Sequence, residues 1–183
     1  GIGEWSFSAL LESDDESIIF DTGFDENTVL HNANLLKKDL SKVEKVILSH
    51  FHGDHTGGLI KLRKTFMTKN PNAFSQVYVA EGFFDQRYDK DGNLRGFIGG
   101  FDDVKDFIQE TENVGINFII IKEPHEIAKN LILSGPVERV FEKVVVSPGF
   151  YIKENGELID SDQFYNIRSM KKLDLQLLES KDY

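Results

Sequence analysis

The segment His50-Phe51-His52-Gly53-Asp54-His55 holds three of the chain's five histidines and one aspartate, and it directly follows the apolar run Lys45-Val46-Ile47-Leu48-Ser49. Core packing does not explain so dense a set of metal-binding side chains at the end of a strand-like run. It calls for a fold in which a strand end, a turn and a helix start meet at one place. On an extended segment alternate side chains share a face, so His50 and His52 can approach one cation while Phe51 turns away into apolar surroundings. Gly53 lets the chain turn, and Asp54 and His55 then reach a second position as a helix begins.

Neutral imidazole and carboxylate are good ligands for zinc and similar borderline ions, and such a site, left open to water, activates it near neutral pH. The expected chemistry is hydrolytic or Lewis-acid. A solvated histidine-rich turn without metal is the bland reading of the same residues, and three histidines with an aspartate weigh against it.

With these residues in view, the chain resembles the metallo-β-lactamase superfamily, whose HxHxDH signature is matched by His50, His52, Asp54 and His55. Upstream, Ile18-Ile19-Phe20-Asp21-Thr22-Gly23 is similar to that superfamily's strand ending in an Asp-Thr-Gly turn. The resemblance implies an α/β fold, the αββα sandwich, of which this chain would be the N-terminal part. It also implies zinc, as one or two divalent ions with manganese or iron as alternatives, held by His50, His52, Asp54 and His55. Asp54 would in addition orient the attacking water or pass a proton. Asp21 would support the metal site through its ligands, and Gly23 would permit the sharp turn.

Within the superfamily, the chain resembles the branch of dihydropterin ribofuranosylaminobenzene 5'-phosphate synthase-like proteins. The likeness is carried by Gly3-Glu4-Trp5-Ser6-Phe7-Ser8-Ala9-Leu10-Leu11-Glu12, by Ser49 through Leu59, and by Gly149-Phe150-Tyr151-Ile152-Lys153-Glu154-Asn155-Gly156-Glu157-Leu158. It covers Glu4 to Gln163 and implies a pterin-related or phosphorylated substrate.

At 183 residues, with 40% hydrophobic and 28% charged, the chain suits one globular domain with a substantial core, expected here as residues 1–183 and incomplete at the C-terminus. A formal net charge of −10 gives no broad basic surface, so a small-molecule substrate is expected rather than nucleic acid. Cysteine is absent, which leaves nitrogen and oxygen as metal donors and agrees with a cytoplasmic location. No apolar stretch approaches the ~20 residues needed to span a bilayer, so no membrane partner is expected.

Along the chain, Trp5 to Glu12 and Ser17 to Phe20 read as a hairpin around an acidic turn. Helical spacing covers Asn27 to Lys38, with His31 upon it, and this histidine precedes the motif in the wrong order for the family. A helix is expected from Asp54 or Thr56 through Leu59, Leu62 and Phe66, with Gly57 and Gly58 allowing close backbone approach. Further expectations are a strand at Gln76 to Ala80, a helix capped by Asp102 or Asp103, a strand at Ile116 to Ile121 and a hairpin turning at Asn155-Gly156. Residues 81–100 read as an insertion near the site, with Arg87, Lys90 and Arg95 available for a substrate anion, although a solvated loop explains them equally. Asp89-Lys90-Asp91-Gly92-Asn93 reads as a turn rather than a calcium loop, and Gly96-Phe97-Ile98-Gly99-Gly100 misses the dinucleotide-binding spacing. Met170 to Leu178 reads as a short amphipathic helix.

Family members complete the metal shell with later residues. The only histidine after the motif is His125, at a suitable distance but in surroundings, Lys122-Glu123-Pro124-His125-Glu126, unlike those of the branch. Two functions therefore stay open: a metal-dependent hydrolase or transferase, and a non-catalytic metal-binding or assembly module. Exposed sheet surface on a half-fold would also make a homo-oligomer possible.

Overall fold

Short apolar strands alternate with amphipathic helices, and their packing gives layers. A computed structural model describes residues 1–13, 15–95, 101, 103–136, 151–160 and 173–177. Gly96 to Gly100, Asp102, Gly149-Phe150 and the flanks of the Met170 to Leu178 segment lie outside the described residues.

The first sheet has β1 (Ala9–Glu12), β2 (Ser17–Phe20), β3 (Lys45–Ile47), β4 (Gln76–Ala80) and β5 (Asn117–Ile121) in that spatial order. β1 and β2 form an antiparallel hairpin; β2 through β5 run parallel. Parallel strands are covered on both faces, and the period of two divides their side chains between two cores. Ile19, Val46, Val77 and Val79 enter a core with Leu59, Leu62, Phe74 and Phe107. Ile18, Ile47, Tyr78 and Ala80 enter another, with Ile127, Leu131 and Leu133.

The first core is roofed by α1 (Thr28–Leu35), α3 (Leu59–Phe66) and α4 (Val104–Asn113), and the short α2 (Gly53–Thr56) precedes α3 in the chain. The second core is closed by an antiparallel sheet in which β7 (Leu131–Pro136) lies between β6 (His125–Ala128) and the last strand, β10 (Leu173–Leu177). Lys45 fastens the two sheets together, donating to Glu16 at 2.7 Å and to the Ile127 carbonyl at 2.5 Å. Helix, sheet and sheet make up three layers of the expected α/β sandwich, and among the described residues no helix covers the outer face of the second sheet. A separate hairpin, β8 (Tyr151–Glu154) and β9 (Glu157–Asp160), turns at Asn155 and Gly156 with φ of 52° and 87°. That is the left-handed pair the Asn-Gly signal calls for.

Several boundaries differ from expectation. β1 starts at Ala9 because residues before it leave the sheet and cross the Asp21 turn: Glu4 accepts from the Phe24 and Asp25 amides at 2.8 and 3.0 Å, and Trp5 stands 95% exposed. Burial alone would raise the Glu4 pKa, yet these bonds and those from the Ser6 and Thr28 side chains hold it below its ordinary value. α1 stops at Leu35 because Lys37 takes a left-handed φ of 56° and the Lys38 amide returns to the Ala33 carbonyl at 2.8 Å. The expected helix over Met170 to Leu178 is instead strand β10, paired with β7. Leu173-Asp174-Leu175-Gln176-Leu177 alternates with a period of two, the strand pattern, and that alternation prevails over the helical reading. Strands β6 and β7 were not expected at all.

Arg63 was also not anticipated. It is only 6% exposed, and its guanidinium donates to the carbonyls of Val114 (2.9 Å), Pro71 (2.7 Å) and Ala73 (2.6 Å). Burial lowers its pKa, but three carbonyl acceptors suit a fork of N–H donors. It ties α3 to the turns that precede β4 and β5.

Candidate metal centre

The C-terminal ends of β2 and β3 lie side by side, and the chain turns sharply after each. Asp21 leaves β2 with a φ of 56°, a left-handed conformation that aspartate tolerates better than most residues. Its amide donates to the Ile47 carbonyl at 2.8 Å, holding the turn against β3. The Asp21 side chain is 1% exposed and saturated with donors. Oδ1 accepts from the Ser49 amide at 2.8 Å; Oδ2 accepts from the Ser49 hydroxyl and from His55 Nδ1, each at 2.7 Å.

Thr22 grips the other end of the motif, since its amide and hydroxyl both donate to the His55 carbonyl, at 2.7 and 3.0 Å. α2 and α3 are two helices rather than the one expected, separated by Gly57 and Gly58. A Cβ on Gly57 would stand 1.9 Å from the Phe24 carbonyl oxygen, and one on Gly58 would stand 2.3 Å from that of Thr22. Only glycine lets the helix start and the Asp-Thr-Gly turn approach this closely.

The motif side chains meet in two pairs. His50 Nε2 lies 3.0 Å from His52 Nδ1, and His55 Nε2 lies 3.4 Å from Asp54 Oδ2. Two donors at 2.0–2.1 Å from one tetrahedral zinc stand about 3.3 Å apart. Both pairs therefore fit a shared cation after movements of a few tenths of an ångström. Among the described residues no three such side chains gather round a common point, so the arrangement is two half-shells.

The opposite ring nitrogens are already engaged. His55 Nδ1 donates to Asp21, which leaves Nε2 with its lone pair toward Asp54. The Ser49 proton is directed at Asp21, so His50 Nδ1 donates to the Ser49 oxygen at 2.9 Å and its Nε2 is the acceptor. His52 Nδ1 then carries the proton of the His50–His52 bond, and a cation shared by the pair would replace that proton, with His52 changing tautomer. Desolvation lowers the His52 pKa, Asp54 opposes this, and the charges of His55 and Arg87 add to it. The neutral imidazole that a metal requires is favoured.

Phe51 points away from this cluster, as its place between two histidines requires, and packs on Phe83 and Phe107 at ring separations of 5.0 Å each. His31 is exposed on α1. His125 is exposed on β6, its ring 6.5 Å from that of Tyr78, in the second sheet rather than in the histidine loop. Asp89 closes its own turn, accepting from the Asp91 and Asn93 amides at 2.9 Å each, as expected of a turn rather than a cation loop. Ser49 is the functional residue that sequence reasoning left without a role; a small hydroxyl just before the first histidine was its only signal.

The metallo-beta-lactamase superfamily model matches residues 6–149. An uncharacterised protein of Methanocaldococcus jannaschii is 30% identical over 136 residues, covering 74% of this chain and 48% of that protein. The 7,8-dihydropterin-6-methyl-4-(beta-D-ribofuranosyl)-aminobenzene-5'-phosphate synthase of the same organism is 27% identical over 151 residues, 78% of this chain and 47% of the synthase. The chain thus spans about half the length of the curated relatives it matches. A crystal structure of a metal-dependent hydrolase of the beta-lactamase superfamily overlays 78% of this chain and 46% of its own, with a TM-score of 0.48 and 28% identity.

Proposed function

This chain belongs to the metallo-beta-lactamase superfamily, and we propose that it carries the metal-binding half of a metal-dependent hydrolase or transferase. The observation that carries this reading is the pairing of four donors at ligand spacing, with the remaining nitrogens of His50 and His55 oriented by Ser49 and Asp21. His50 and His52 would hold one divalent ion, with Asp54 and His55 at a second position; zinc fits the donor set, and manganese or iron are alternatives. Such an ion, when bound, supplies Lewis acidity and activates water near neutral pH.

The chain's own residues do the rest. Asp21 and Ser49 keep the imidazoles in the ligating tautomer, and Thr22 fixes the backbone under His55. Asp54, partly exposed beside His55, can take a proton at its carboxylate as the nucleophile forms. The substrate class we propose is a phosphorylated or pterin-related small molecule, a reading supported by the named synthase among the relatives. The net charge of −10 and the absence of cysteine suit a cytoplasmic small-molecule enzyme. Among the described residues no helix is long and apolar enough to cross a membrane.

The test compares His52→Ala with His31→Ala by elemental analysis after loading with zinc or manganese. Loss of metal confined to His52→Ala is expected, because only that change removes a donor; equal loss in both variants would sink the assignment. One observation favours a second reading, a non-catalytic metal-binding or assembly module. The donors stand two to a position, whereas a catalytic zinc commonly has about three protein ligands. Stoichiometric metal with no turnover of phosphate esters would select that reading.

A further inference from the structure

The chain ahead of β1 is a strap pinned along its length. Asn32 on α1 clasps Ile2, accepting from its amide and donating to its carbonyl at 2.8 Å each. Glu4 holds the Phe24 and Asp25 amides. Further on, the Phe7 carbonyl accepts from the Gly23 amide at 3.0 Å, and the Ser8 hydroxyl donates to the Asp21 carbonyl at 2.9 Å. The strap thus runs from α1 to the Asp-Thr-Gly turn beside the histidine loop. There the Phe7 amide donates to the Asp54 carbonyl at 3.4 Å, so the backbone of Phe7 abuts that of a proposed metal donor.

The strap divides its side chains. Ile2, Glu4, Ser6 and Ser8 line a cavity against Val29 and Ala33 of α1, and Trp5 and Phe7 do not. Phe7 sets its ring edge-on to Phe20 at 6.0 Å and stays half-exposed, while Trp5 is 95% exposed. A tryptophan left so open forgoes nearly all the stabilisation that its burial would give. It is not on a loose tail either, because Glu4 is fixed to the Phe24 turn and the Ser6 hydroxyl donates back to Glu4 at 2.5 Å.

We propose that Trp5 and Phe7 form an aromatic platform beside the Asp54–His55 pair, which stacks on a planar heteroaromatic ring of the substrate. The proposal rests on the metal-site reading above, which supplies the reacting position, and narrows its substrate to a molecule with such a ring. Stacking uses flat π-faces and needs no matching charge, which suits a chain of net charge −10. Two aromatic side chains offer about 150–250 Å² each at most. That covers one face of a bicyclic ring and falls well short of the roughly 800 Å² per partner of a stable protein interface.

Trp5 is the only tryptophan of the chain, so its emission reports on the platform directly. The test titrates pterin, and separately adenosine as a second source of such a ring, into the full chain with and without zinc. Binding is followed by Trp5 fluorescence and by calorimetry, since Trp5→Ala is silent in emission. Wild type is compared with Trp5→Ala, Trp5→Phe, Phe7→Leu and the exposed control Leu35→Ala, with metal content and circular dichroism checked for each. Saturable quenching by at least one of the two rings is expected in wild type. Trp5→Ala should weaken the tighter ring about ten-fold, Trp5→Phe should recover most of that, Phe7→Leu should weaken it about three-fold or more, and Leu35→Ala should match wild type. No saturable quenching in wild type, equal affinity in wild type and Trp5→Ala, or the same loss in Leu35→Ala overturns the proposal. So does self-association in sedimentation that Trp5→Ala abolishes, because the rings would then belong to a contact between copies. Absence of bound zinc in wild type defeats the metal-site reading instead, since the metal-free titration reports on the rings alone.

Discussion

Asp21 joins the two strand ends that make the site. Its one buried carboxylate orders the Ser49 amide, the Ser49 hydroxyl and His55, and through Ser49 it also orders His50. Asp21→Asn keeps the shape and tolerates the left-handed φ of 56°, but an amide cannot accept at both ends. One donor must turn away, and a fixed tautomer is lost. Metal affinity should fall about 10- to 100-fold with little change in fold, as read by competition with a chromogenic chelator; unchanged affinity would show that Asp21 serves the turn alone. The candidate donors were legible in the sequence because HxHxDH is local, although β3 ends at Ile47 and Asp54 and His55 lie on α2, so strand periodicity does not set their directions. The role of Ser49 was not legible. Its partner Asp21 lies 28 residues away and arrives only through the parallel pairing of β2 with β3.

At the scale of elements, the site depends on how closely a turn and a helix start can approach. Gly58 sits where a Cβ would meet the Thr22 carbonyl oxygen at 2.3 Å, a backbone atom that moves only with the whole turn. Gly58→Ala should lower stability by about 1–3 kcal/mol in urea unfolding. It should also reduce bound metal, because Thr22 carries the His55 carbonyl. Gly3→Ala, with nothing within 4 Å, is the control and should change neither; equal behaviour of the two variants would contradict the close-approach argument. Most elements of the first sheet and its helices were readable, since each has a clear period, as in the buried run Val77 to Ala80. The second sheet was not. β6 and β7 are short and flank a tight turn at Asn130, whose φ of 65° no glycine announces. In β10, three leucines and lysines nearby suggested a helix face, while the Leu-Asp-Leu-Gln-Leu alternation that decides the matter needs β7 as a partner.

Over the whole molecule, the histidine loop lies at one end of the first sheet, where β2, β3 and the start of α2 are held by hydrogen bonds converging on Asp21, Thr22 and His55. A cation shared by the donor pairs would add a bond between segments far apart in sequence. Because such pairs do not persist in an unfolded chain, binding would stabilise the folded state by mass action. At metal concentrations about 100 times Kd the stabilisation is about 2.7 kcal/mol, and a chain of this size gains about 2–4 °C per kcal/mol. Thermal unfolding followed by circular dichroism should therefore shift upward by about 5–10 °C with zinc or manganese. His50→Ala should lose most of that shift while unfolding near the wild-type temperature without metal, because His50 spans loop atoms and fills no core. A shift of the same size in His50→Ala would mean that the metal acts elsewhere on the surface, and the paired-donor reading would fail with it.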